Sequence, residues 1–182
     1  MGRKIIIAPP TQADWARRGL RSPFRYAGGK SWFVKIASKW MANRPVRPKL
    51  LVEPFAGGAN VSLSAVCADL VDKAEFSELD RDVAAAWKSM LNGHADWLAE
   101  KVRTFPIGRR NVIQHLKQKP GTLHERAFQC LLRNRTARGG VIADGAGFAS
   151  SAGKSVARTV FRRFSSRRSF TAVSRRFPST TQ

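Results

Sequence analysis

Apolar residues along this chain fall into short runs at two different spacings, punctuated by proline and glycine. Within residues 31–42, Phe33, Ile36, Ala37, Trp40 and Met41 recur as one face of a helix, which Pro45 and Pro48 end. Leu50, Leu51 and Val52 form a compact run of strand type. A turn at residues 54–58 leads into a helical stretch reaching Ala68, then a second short strand at 73–78. A second helix, 82–91, begins at an acidic cap. Strand, turn, helix, strand, helix is the unit of parallel α/β sheets. From Asp96 the pattern becomes successive helices at 96–104, 109–118 and 122–134. The last opens with a capping box, Thr122 and Glu125, and a glycine-rich loop follows at 138–153.

The ends read differently. Residues 1–20 predict an irregular arm, with a strand-like Ile5, Ile6 and Ile7 stopped by Pro9 and Pro10. Residues 155–182, rich in Arg, Ser and Phe, keep neither period and predict a disordered or weakly structured tail. The expected layout is an arm (1–20), an α/β core (21–95), a helical segment (96–154) and a basic tail (155–182).

Charge narrows the class of partner. Thirty-three Lys and Arg oppose twelve Asp and Glu, for a formal +21. Such a balance points to nucleic acid, whose bound counterions are released by each neutralised phosphate; the alternative is a ribosome-associated or merely adhesive basic protein. No acid follows Asp144. Residues 1–144 still carry +13 once the tail's eight basic residues are set aside. Cys67 and Cys130 sit in apolar helical patterns and read as buried free thiols of a reducing compartment, without metal spacing. No apolar run approaches the about 20 residues of a membrane span, and the first 20 residues lack a signal-peptide layout. A cytoplasmic protein with no membrane or metal partner is expected.

Two turns carry candidate chemistry. Leu51 to Asn60 reads LVEPFAGGAN at a strand-to-helix junction, where glycine lets backbone approach a ligand. Glu78 lies 20 positions after Gly58, at the tip of the next strand, where a carboxylate suits a ribose diol. Strand, turn, helix and carboxylate together point to an adenosine cofactor. The other turn, PFRYAGGK ending at Lys30, precedes a helix; its lysine either meets an anionic ligand group or is an ordinary solvated side chain at a helix entry.

With these stretches in view, the chain resembles the deoxyadenosine methylase family of DNA adenine methyltransferases. FRYAGGKSWF is similar to the aromatic-Ala-Gly-Gly-Lys element that opens the family, and LLVEPFAGGANVSL to its next signature. SELDRDVAAAW resembles its acidic strand end, and AFQCLLRNRTARGG the start of its DNA-recognition region. The likeness spans roughly residues 21–150, in the family's order. It implies a Rossmann-like sheet, here incomplete, with a helical recognition segment, S-adenosylmethionine as cofactor and double-stranded DNA as partner. By position, Tyr26 would pack on the cofactor and Lys30 would meet its carboxylate. Pro54, Phe55 and Gly57 would shape the turn beneath the methionine portion. Glu78 would bind the ribose, with Asp80 as rival because the family more often has Asp. Arg133, Arg135 and Arg138 would face nucleic acid.

The family's transferring site is an Asp-Pro-Pro-Tyr-like tetrapeptide beyond the recognition region. It orients a poorly nucleophilic amine and holds the flipped base. This sequence has none; its one Pro-Pro pair, Pro9 and Pro10, precedes the cofactor motifs. The chain instead runs into its basic tail, as a shifted or shortened reading frame near residues 154–158 would produce. The expectation is an adenine methyltransferase inactive by itself, without a catalytic residue of its own. The alternatives are a non-catalytic cofactor- and DNA-binding module, or a fragment without function. Gly29-Lys30-Ser31 and Gly153-Lys154-Ser155 are not phosphate loops, since Phe24 and Phe148 stand where the first glycine belongs. His94, His115 and His124 lack metal or triad spacing and read as packing or surface residues.

Overall fold

The computed structural model describes residues 22–25, 29–140, 142, 147 and 148. The readings made for residues 1–20, for Tyr26 and for the tail lie outside the described residues.

A 3-10 turn, Lys30–Trp32, runs into helix α1 (Val34–Ala42) through Phe33, whose amide bonds to the Lys30 carbonyl. Strand β1 (Leu50–Glu53), helix α2 (Asn60–Cys67) and strand β2 (Lys73–Phe76) follow. The strands pair in parallel, with Leu50 opposite Lys73 and Glu53 opposite Phe76. Helices α3 (Arg81–Leu91), α4 (Ala95–Thr104), α5 (Arg109–Leu116) and α6 (Leu123–Thr136) complete a mixed α/β fold. Among the described residues it comprises six α-helices and one two-stranded parallel sheet.

The helix ends follow their capping residues. Asp80 accepts hydrogen bonds from the amides of Asp82 and Val83, starting α3 one residue earlier than the periodicity predicts. Thr122 and Glu125 form the full reciprocal box at the start of α6. Strand β2 is shorter than the predicted 73–78, because Ser77 and Glu78 turn into the loop that meets the β1 end.

One cluster of buried side chains spans the α/β stretch and the later helices alike, from Phe24, Leu63 and Val83 to Leu98, Val112 and Phe128. Trp87 of α3 lies between Phe24 and Phe76, with ring centroids 5.6 and 5.3 Å away. Sheet faces differ sharply. Ala74 is buried and Leu51 and Phe76 are partly buried, whereas Leu50 and Val52 on the opposite face are exposed. Parallel sheets are ordinarily covered on both faces; among the described residues the Leu50 and Val52 side of this one is exposed. Cys67 and Cys130 are buried free thiols, and burial pushes the Cys130 thiol well up from its ordinary range. No described helix is long and apolar enough to cross a membrane.

His115 packs against Phe105 and Phe128, at 5.3 and 5.1 Å between ring centroids. Burial first, then the charge of Lys101, lowers its pKa below the ordinary value, against smaller opposing effects of Glu125 and Gln118. The folded chain therefore takes up this proton less readily than the unfolded chain. Its contribution to stability is complete above about pH 6.5, the unfolded value, and is lost as pH falls from there through the folded pKa. Melting temperatures between pH 8 and pH 5 are expected to fall below pH 6.5, and less steeply in His115→Gln.

Candidate cofactor pocket

Strand β1 ends in a carboxylate that faces inward. Glu53 is 6% exposed, and its Oε2 accepts from the Ser62 amide at 2.8 Å and the Ser62 hydroxyl at 2.6 Å. Ser62 is the third residue of α2, whose N-cap, Ala59, has no side-chain acceptor. Glu53 thus supplies from the neighbouring strand the acceptor that an N-cap side chain ordinarily provides, and its charge suits the positive end of the helix. Its other oxygen, Oε1, is met by the Lys30 ammonium at 3.2 Å. Lys30 also donates to the Phe55 carbonyl at 2.6 Å. Two turns 25 residues apart in sequence are locked to one another through a single lysine.

The turn between β1 and α2 is wound tightly. Phe55, Gly57 and Ala59 all have positive φ, at 54°, 51° and 47°. Phe55 and Ala59 are not glycine, so each costs of order 1 kcal/mol of strain. Fixed contacts hold the conformation: the Ala56 amide donates to the Ser77 carbonyl, and the Trp87 indole to the Gly57 carbonyl, both at 2.8 Å. Gly58 is packed closely, since a Cβ there would come within 2.7 Å of the Ser22 hydroxyl.

Glu78 closes the third side. Its Oε2 accepts from the Gly57 amide at 2.6 Å and its Oε1 from the Asp80 amide at 2.9 Å. Each oxygen keeps a further lone pair. Asp80 is occupied differently, with its Oδ1 accepting the two α3 amides, so of the two acids only Glu78 reaches the turn. Asp80→Ala is accordingly expected to cost about 1 kcal/mol as a lost cap, measured by urea unfolding.

The structure therefore brings together Lys30, Phe55, Gly57 and Glu78. Pro54 and Phe55 are exposed at the rim. The arginines divide. Arg138 is exposed, whereas Arg133 is partly buried against Asp82 at 3.4 Å. Arg135 is only 3% exposed and its guanidinium donates to the Pro23 carbonyl, which directs it inward and away from any external phosphate.

Sequence reasoning missed three participants. Glu53 and Trp87 fall within the LLVEPFAGGANVSL and SELDRDVAAAW stretches, but neither has a role assigned from sequence. Asn134, at the end of the expected 122–134 helix, has no assigned role either, but it is fully buried: its Oδ1 accepts from the Arg25 amide at 2.9 Å, and its Nδ2 donates to the carbonyls of Arg25 at 2.7 Å and Gly140 at 2.8 Å. Helix α6 thereby holds residues 22–25, the approach to the Lys30 turn. A helix start without its own capping residue, as at Ala59, was the one signal that pointed to an acceptor elsewhere.

No family model matches the chain, and no curated protein matches it.

Proposed function

We propose that this chain is the S-adenosylmethionine-binding part of a DNA adenine methyltransferase with a Rossmann-like sheet. The observation that carries the reading is the joining of the two glycine turns by Lys30, with Glu78 anchored beside them on the Gly57 amide.

Ligand charge supports this class of cofactor over others. In dinucleotide folds the helix after the first glycine turn receives a pyrophosphate. Here the buried carboxylate of Glu53 already occupies that helix start. A pyrophosphate would have to compete with this carboxylate for the helix start, whereas a sulfonium would not. Lys30 spends donors on Glu53 and Phe55, and an ammonium has three; the remaining one suits the amino-acid carboxylate. Glu78 offers its free lone pairs to the ribose hydroxyls. The adenine-in-DNA substrate rests on the sequence resemblance and on the basic surface, which includes Arg138.

The pocket residues bind the cofactor; the 182 residues contain no Asp-Pro-Pro-Tyr-like tetrapeptide to which the transfer itself could be assigned. The exposed face at Leu50 and Val52 favours a second reading as a non-catalytic binding module that another polypeptide completes.

Calorimetric titration of the full chain tests the proposal. S-adenosylmethionine should bind, NAD should bind at least tenfold more weakly, and Glu78→Ala should lose at least tenfold for S-adenosylmethionine. Equal affinity for NAD, or an unaffected Glu78→Ala, overturns the assignment.

A further inference from the structure

Helix α1 buries one side and leaves an unusual surface on the other. Ala37 and Met41 are buried, whereas Trp32, Ile36 and Trp40, spaced four apart, are 70%, 56% and 56% exposed. The 3-10 turn continues into the helix through Phe33, and the four-residue spacing sets Ile36 and Trp40 on one face, with the indoles about 12 Å apart along the axis. Lys35 and Lys39 are exposed one position before Ile36 and Trp40, and the Arg44 guanidinium lies over the Trp40 ring at 4.9 Å. Residues 29–49 carry six basic side chains and no acid; the chain has no acid at all between Asp14 and Glu53.

Exposed aromatic planes interleaved with cations match single-stranded nucleic acid, whose bases have free π-faces and whose backbone is anionic. Duplex DNA hides those faces within its stack. A lipid-facing helix prefers a broad apolar face separated from its charges. On α1 the cations are interleaved with the indoles along the sequence, and Arg44 already covers one face of Trp40. We propose that the Trp32–Trp40 face of α1 is a binding surface for single-stranded nucleic acid, with the indoles stacking on bases and Lys35, Lys39 and Arg44 meeting phosphates. This surface is distinct from the Lys30–Glu78 pocket and requires no cofactor.

Fluorescence anisotropy with a labelled 12-nucleotide single-stranded DNA, without S-adenosylmethionine, tests it on the full chain. Trp32→Ala and Trp40→Ala should each weaken binding at least fivefold, and Trp40→Phe should restore most of the loss. Lys35→Gln with Lys39→Gln should flatten the dependence of log affinity on log salt by about 1.4. These side chains are exposed, and unchanged circular dichroism would verify that each variant is folded. Tryptophan variants that bind the single strand like wild type overturn the proposal, as does a wild-type chain captured by phosphatidylserine vesicles in an indole-dependent way while its DNA affinity ignores the indoles. Loss of cofactor binding with an intact indole effect would instead overturn only the methyltransferase reading.

Discussion

Lys30→Met is expected to destabilise the chain by about 2 kcal/mol and to weaken S-adenosylmethionine binding more than tenfold. Removing one partner of a buried ion pair costs about 3–5 kcal/mol when both groups are enclosed. Lys30 is 34% exposed, so water already screens part of its charge, and the lower figure applies. What remains is the Glu53 carboxylate, buried against α2 with its Oε1 deprived of the ammonium. Glu53→Gln separates the two effects. Its amide oxygen can still accept from the Ser62 amide, while its nitrogen carries no charge for Lys30 to neutralise. The double variant Lys30→Met with Glu53→Gln should recover most of the stability, as measured by urea unfolding. It should not recover cofactor affinity, because the donor to the ligand carboxylate stays absent. Recovery of both would make Lys30 a structural residue alone.

Asn134→Leu should cost about 3 kcal/mol, measured from the urea midpoint at constant slope. The substitution is close in volume but removes three hydrogen bonds, each worth about 1 kcal/mol net, and leaves backbone groups of Arg25 and Gly140 without this partner. The loss is not confined to α6. Residues 22–25 lead into the Lys30 turn, and Phe24 packs on Trp87, whose indole holds the Gly57 carbonyl. Cofactor affinity should therefore fall together with stability, although Asn134 lies outside the pocket. An Asn134→Leu chain of wild-type stability would show that α6 does not hold this segment.

Much of the fold was legible because local chemistry and tertiary packing agree. The run Leu50, Leu51, Val52 and the glycines after it define β1 and its turn, and the Thr122–Glu125 box fixes the start of α6 from four residues. Strand ends were less legible, since the apolar and acidic residues of 73–78 do not reveal that Ser77 turns away to bond Glu53 and Ala56. The meeting of the two turns was legible where the residues that join them are part of a turn: Lys30, Gly57 and Glu78. It was illegible where a side chain acts at long range. Nothing local to Asn134 or Arg135 says that their partners lie 109 and 112 positions earlier. A basic stretch on a helix looks the same in sequence whether its guanidinium faces solvent or a buried carbonyl; the resemblance sets Arg135 toward nucleic acid, and in the structure it donates to the Pro23 carbonyl. Glu78 and Asp80 could not be separated by spacing alone. In the structure Asp80 bonds two α3 amides, whereas Glu78 bonds the Gly57 amide.

Hydrogen–deuterium exchange of the full chain, with and without saturating S-adenosylmethionine, reads the two turns at once. Amides at residues 29–31 and at 55–58 should slow together on adding the cofactor, and Glu78→Ala should abolish both effects. Protection at only one turn, or at neither despite measurable binding, would contradict the shared pocket.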